Sequence, residues 1–75
     1  MKIDVILLNQ EKVLFEGKAE TVIVPGEQGV FEILPFHKQI ISRLISGTLK
    51  IDDKDFYVRR GVIRANNNKV TLIVE

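Results

Sequence analysis

The chain has no cysteine and no tryptophan, and only one histidine, one tyrosine and two prolines. Without cysteine there is no disulfide to staple the fold, no thiolate metal site and no cysteine nucleophile. A lone imidazole, His37, does not make a zinc site, because such sites take three or four nitrogen, sulfur or oxygen ligands. No serine or carboxylate around His37 forms a nucleophile motif, so a hydrolytic triad has no support. An ordinary loop histidine is the plainer reading; a general base or contact residue in an exposed turn is the alternative. No apolar run approaches the roughly 18 residues of a spanning helix. Asp4 also interrupts what would be the apolar core of a secretory signal, so a cytoplasmic protein without a leader is expected. The formal net charge of +1 is too small for a strongly basic nucleic-acid binder.

What is present fits one small folded domain. The 75 residues are 45% hydrophobic and 28% charged, a balance that argues against disorder. A chain of this length buries roughly 60–65% of its unfolded surface, so its intrinsic stability is modest. Residues 2–8 are rich in isoleucine, valine and leucine on both parities, and a strand buried on both faces or nearly so is expected. Asn9-Gln10-Glu11 turns the chain, 12–15 is a short strand closed by Gly17, and 18–24 alternates loosely. Pro25-Gly26-Glu27-Gln28 suits a tight turn: Pro25 presets φ at about −65° and Gly26 is free to take positive φ. Gly29 leads into an extended run over 30–34, which Pro35 ends.

Residues 39–45 are ambiguous, because Ile40, Ile41, Leu44 and Ile45 also fit a helical spacing. Seven residues before a glycine turn are short for a helix, and strand is the assignment. After Ser46-Gly47, 48–51 alternates cleanly and Asp52-Asp53-Lys54-Asp55 reads as a polar hairpin loop. Residues 56–59 place Phe56 and Val58 on one face, Tyr57 and Arg59 on the other. Arg60-Gly61 turns or bulges into 62–65, and Asn66-Asn67-Asn68 is a turn in which asparagine tolerates left-handed geometry. Residues 69–74 close the chain with Val70, Leu72 and Val74 facing one way. Eight to ten short strands, with turn signals roughly every 8–10 residues, predict an all-β fold, a two-sheet β-sandwich or flattened barrel in one domain over 1–75. Apolar residues on both parities at Leu7/Leu8 and Ile40/Ile41 leave hydrophobic surface outside, the mark of a partner.

Other candidate chemistry is thin. Asp52, Asp53 and Asp55 lack the glycine and distal glutamate of a calcium loop, so a solvated hairpin tip is expected. Gly26 and Gly29 frame a Gly-x-x-Gly, but no Gly-Lys-Ser/Thr follows to cradle phosphate. Arg59, Arg60 and Arg64 near Tyr57 and Phe56 could form a platform for single strands, though the acidic tip nearby favours a mixed-sign surface. No catalytic residue, metal or cofactor is expected.

Two runs carry a resemblance. Pro25-Gly26-Glu27-Gln28-Gly29-Val30-Phe31-Glu32-Ile33-Leu34-Pro35-Phe36-His37, preceded by Glu11-Lys12-Val13-Leu14-Phe15-Glu16-Gly17 and Ala19-Glu20, resembles the epsilon subunit of F-type ATP synthases (delta in mitochondria), in its N-terminal β-sandwich domain. The resemblance covers nearly the whole chain. The family usually has glycine where Glu32 and Phe36 stand, and Ala-Pro where Lys38-Gln39 stand. The resemblance implies a non-catalytic rotor subunit of the central stalk, coupling proton-driven c-ring rotation to the gamma subunit and to ATP synthesis. Such a subunit is peripheral at the cytoplasmic face of the inner (plasma) membrane and meets the membrane only through the ring. It implies ring-facing contacts at Gln28, Val30, His37 and Lys38, with Val30 standing where relatives often carry an acid. It implies gamma-facing contacts at Asn9 and Ser42. Because the chain stops at Glu75, just past the last strand, the C-terminal helical hairpin of most bacterial relatives is expected to be absent. Two other readings stand beside it: a small β-barrel that binds single-stranded nucleic acid, and a self-associating β-sandwich adaptor.

Overall fold

The computed structural model describes residues 2–35 and 39–75. Described residues form nine strands: β1 (Ile3–Leu8), β2 (Val13–Ala19), β3 (Val22–Gly26), β4 (Gly29–Ile33), β5 (Ile40–Leu44), β6 (Gly47–Ile51), β7 (Lys54–Val58), β8 (Gly61–Asn66) and β9 (Lys69–Val74). They join in one hydrogen-bonded path, β2-β1-β9-β8-β5-β3-β6-β7, with β4 on the other edge of β3. All pairs are antiparallel except β1 with β9, which run parallel and set Val5 beside Val70 and Leu7 beside Leu72.

The path folds over at β3. This strand meets β5 through Gly26 and Leu44 alone, and β6 only through Val22–Ile51 and Ile23–Lys50. The thin seam divides the path into two layers, β2-β1-β9-β8-β5 and β4-β3-β6-β7, closed over one core. The predicted sandwich is therefore a single sheet curled onto itself. Its two ends meet through side chains: the Phe15 and Phe56 rings pack edge to face at 6.3 Å, and the Lys54 ammonium lies 5.4 Å over Phe15.

Alternation builds the core. Ile3, Val5 and Leu7 of β1, Ile63 and Ala65 of β8, and Val70, Leu72 and Val74 of β9 are buried, facing Val22, Val24, Ile33, Leu49, Ile51 and Val58 of the other layer. Each such valine, leucine or isoleucine contributes about 1.5–3 kcal/mol when fully withdrawn from water. Among the described residues no polar side chain is buried.

Local expectations meet several corrections. β1 alternates instead of burying both faces: Ile6 and Leu8 are only half-buried, because an outer layer covered on one side keeps one face to solvent. β2 runs straight through Gly17, and the chain breaks at Glu20-Thr21, a site with no glycine or proline. The break is held from a distance, since the backbone N–H groups of Glu20 and Thr21 donate to Asp52 Oδ1 at 2.9 and 3.1 Å. The Asp52 N–H in turn donates to the Thr21 carbonyl at 3.1 Å. Asp52-Asp53 is the expected exposed hairpin tip, but Asp52, at φ 53°, also clamps the distant break, and Lys54 and Asp55 belong to β7.

Pro25 and Gly26 end β3, and the hairpin turn is Glu27-Gln28 alone, closed by Gly26 opposite Gly29. Positive φ falls on Gly29 (129°), not on Gly26. Pro25 is tolerated there because its carbonyl accepts from Ile45 N–H at 2.9 Å while its missing donor is not called for. Other expectations hold. Asn67 and Asn68 take φ of 50° and 64°, the left-handed pair that a two-residue hairpin turn favours. The ambiguous run after residue 39 is strand β5, because every one of its residues pairs in register with β8.

Candidate interaction surface

Register places the outward side chains of the β2-β1-β9-β8-β5 layer in rows. One row reads Val13, Leu8, Ile73, Val62, Arg43 across the five strands. The next reads Glu16, Ile6, Thr71, Arg64, Ile41. Val13, Val62 and Ile73 are exposed, and Ile41 is 68% exposed. Single exposed aliphatic residues are common, but adjoining rows of them mark an interface. On the opposite layer the outward residues of β6 and β7 are Thr48, Lys50, Asp55 and Tyr57, with Lys50 and Asp55 paired across strands at 3.7 Å. The first face carries an apolar row beside mixed and charged ones, the next row beyond Ile6 being Lys18, Asp4 and Lys69, whereas the second face is polar at these four positions but for the Tyr57 ring.

The first face is sparsely neutralised. Among the described residues Glu16, Arg43 and Arg64 form no ion pair. Asp4 and Lys18, by contrast, pair across β1 and β2 at 3.0 Å.

Gln28 and Val30 sit on the β3–β4 hairpin, both exposed, Val30 by 73%. They border a groove also lined by Phe31, Ile40, Ile41, Ser42 and Arg43. The fold therefore brings Gln28, Val30 and Ser42 together, although the resemblance assigns Ser42 to a different partner. Asn9 lies apart on the β1–β2 turn. Its Oδ1 accepts from the N–H groups of Glu11 and Lys12 at 2.8 and 2.9 Å, so its polar atom is committed to its own turn. His37 and Lys38 lie outside the described residues. Sequence reasoning pointed to the pairs Leu7/Leu8 and Ile40/Ile41 without choosing between their members; the structure buries Leu7 and turns Leu8 and Ile41 outward, and it adds Val13, Val62 and Ile73, which that reasoning missed. Their signal was an apolar residue on the polar parity of an alternating strand, as with Ile73 between Leu72 and Val74.

The nucleic-acid platform does not assemble. Tyr57 projects from the outer face of one layer and Arg64 from that of the other. Arg60 instead donates to Glu75 from Nε at 2.9 Å and Nη2 at 3.2 Å, a bidentate pair that raises the Arg60 pKa through the hydrogen bond first and charge second. Among the described residues no group of three acidic, histidine or cysteine side chains is placed to hold a metal ion. No helix among them is long and apolar enough to cross a membrane.

Comparison with known proteins agrees with this architecture. Residues 2–75 match the family model described as ATP synthase, Delta/Epsilon chain, beta-sandwich domain. The ATP synthase epsilon chain of Leptospira borgpetersenii is 32% identical over 78 residues, covering 99% of this chain and 61% of that protein. That of Bordetella avium is 33% identical over 78 residues, covering 97% and 54%. The chain thus spans a little over half the length of the curated relatives it matches. Among solved structures, a chain of the Euglena gracilis mitochondrial ATP synthase superposes with a TM-score of 0.89 at 16% identity, over 97% of this chain and 50% of that one. A chain of the Tetrahymena thermophila mitochondrial ATP synthase central stalk and c-ring gives 0.84 at 17% identity, over 99% and 63%. At such identities the likeness is one of fold.

Proposed function

Since the chain belongs to the family of ATP synthase delta/epsilon beta-sandwich domains, we propose that it works as a non-catalytic rotor element of the central stalk, coupling c-ring rotation to the gamma subunit and to ATP synthesis. The observation that carries this reading is the combination of a closed two-layer body with exposed apolar surface at Val30, Ile41, Val62 and Ile73. Transmitting torque asks for a body that does not shear. A hydrogen-bonded path continuous from β2 to β7, locked at its ends by Phe15 against Phe56, supplies that stiffness.

In this reading the β3–β4 hairpin faces the ring through Gln28 and Val30, and His37 and Lys38 are the further ring contacts that the family resemblance implies. Val30 makes an apolar contact where an acid would make an ionic one. Asn9 and Ser42 face gamma, Asn9 through a turn that its side chain stiffens and Ser42 from the groove wall. The domain over 1–75 sits peripherally at the cytoplasmic face and reaches the membrane only through the ring. Calorimetric titration with folded gamma tests the proposal. A saturable one-to-one complex is expected, and no binding at high micromolar concentration removes the rotor reading.

A further inference from the structure

The outer face of the β2-β1-β9-β8-β5 layer is dipolar as well as apolar. Glu16 on β2 and Arg64 on β8 stand in one row, three strands or about 14 Å apart. Neither forms an ion pair among the described residues. The adjoining row is apolar from Val13 on β2 to Val62 on β8.

A two-fold axis lying in this face, parallel to the strands and midway between β1 and β9, lays the face onto itself. Because β1 and β9 run parallel with Leu8 level with Ile73, each row then falls on its own reversed copy. Leu8 meets Ile73, Val13 meets Val62 and Glu16 meets Arg64, every meeting occurring twice, as an isologous interface requires.

We propose that the free chain pairs with a second copy of itself through this face. A partner that was merely apolar would bury Glu16 and Arg64 without counter-charges, which is costly. A second copy supplies both. The molecule measures 29 × 26 × 20 Å, so its broad face approaches the roughly 800 Å² per partner of a standard interface only at full overlap. The dimer is accordingly weak and open to displacement by a larger partner. It does not depend on the rotor reading.

Sedimentation equilibrium of the chain over a concentration series, at low salt, tests this. A monomer–dimer equilibrium is expected, and Ile73→Lys and Val62→Lys each abolish it. Glu16→Arg and Arg64→Glu each weaken it about tenfold. Mixing these last two variants restores association, because the mixed pair regains both ion pairs. All four positions are exposed, and unchanged melting midpoints verify folding. A chain that stays monomeric to about 1 mM overturns the proposal. So does a dimer indifferent to both lysine variants, or a mixture that associates no better than its components.

Discussion

Gly26→Ala puts one of the tight points of the fold to a quantitative test. A methyl added at Gly26 would lie 2.5 Å from Phe31 Cε1, 2.8 Å from its Cδ1 and 2.9 Å from the Gly29 carbonyl oxygen. Comfortable carbon contacts are about 3.5–4.0 Å, so something must move. The Phe31 ring is half-buried beside the groove and can swing outward, giving up part of its packing. The Gly29 oxygen cannot swing, because it belongs to the two-residue Glu27-Gln28 hairpin. Overpacking of this kind costs about 1–3 kcal/mol. Against it, alanine restricts the unfolded chain and returns about 0.4–1 kcal/mol. A net loss of about 1–2 kcal/mol follows, out of a total of roughly 4–11 kcal/mol for a domain of this length. With a urea slope of about 1 kcal/mol/M, the unfolding midpoint should fall by about 1–2 M at constant slope. A midpoint that holds or rises refutes the reasoning. Repeating the substitution in a Phe31→Ala background identifies the obstacle. If the ring dominates, the penalty shrinks by on the order of 1 kcal/mol; if it persists in full, the carbonyl is responsible.

Phe31→Ala alone should cost about 1–2 kcal/mol, less than the roughly 3–5 of a fully buried phenylalanine, since the ring is only half-buried; thermal unfolding measures it. Asp52→Ala should cost about 1–3 kcal/mol by stripping the Glu20 and Thr21 N–H groups of their acceptor, and Asp52→Asn should recover much of it because its carbonyl oxygen still accepts; an alanine variant that melts where the parent does would show that the clamp contributes nothing. Saturating gamma at about 100 times its dissociation constant should raise the stability of the domain by about 2.7 kcal/mol, read as a shift in melting temperature. Val30→Glu should leave stability within about 0.5 kcal/mol, because the side chain is 73% exposed, while changing ring binding measured by co-sedimentation.

Much of the fold was open to reading from local chemistry. Val70, Leu72 and Val74 alternate with polar or exposed neighbours, and β9 lies where that period places it. Asn67-Asn68 closes its hairpin because asparagine accepts positive φ at little cost. What escaped was non-local. Nothing near Glu20-Thr21 announces a strand break, because the acceptor that holds it is Asp52, on another hairpin. Pro25-Gly26 resembles a turn by composition, yet pairing with Val30 and Gly29 keeps both residues in β3.

The interaction face divides in the same way. The amino-acid order alone determined an all-β chain, an apolar surplus and a membership carried by two short runs. Only the tertiary structure decided where the surplus goes. Leu8, Val62 and Ile73 lie far apart along the chain and become neighbours because β1 pairs in parallel with β9, and β9 with β8. Periodicity tells which side of a strand a residue takes, but hydrogen-bonded register between distant strands settles whose side chain stands next to it.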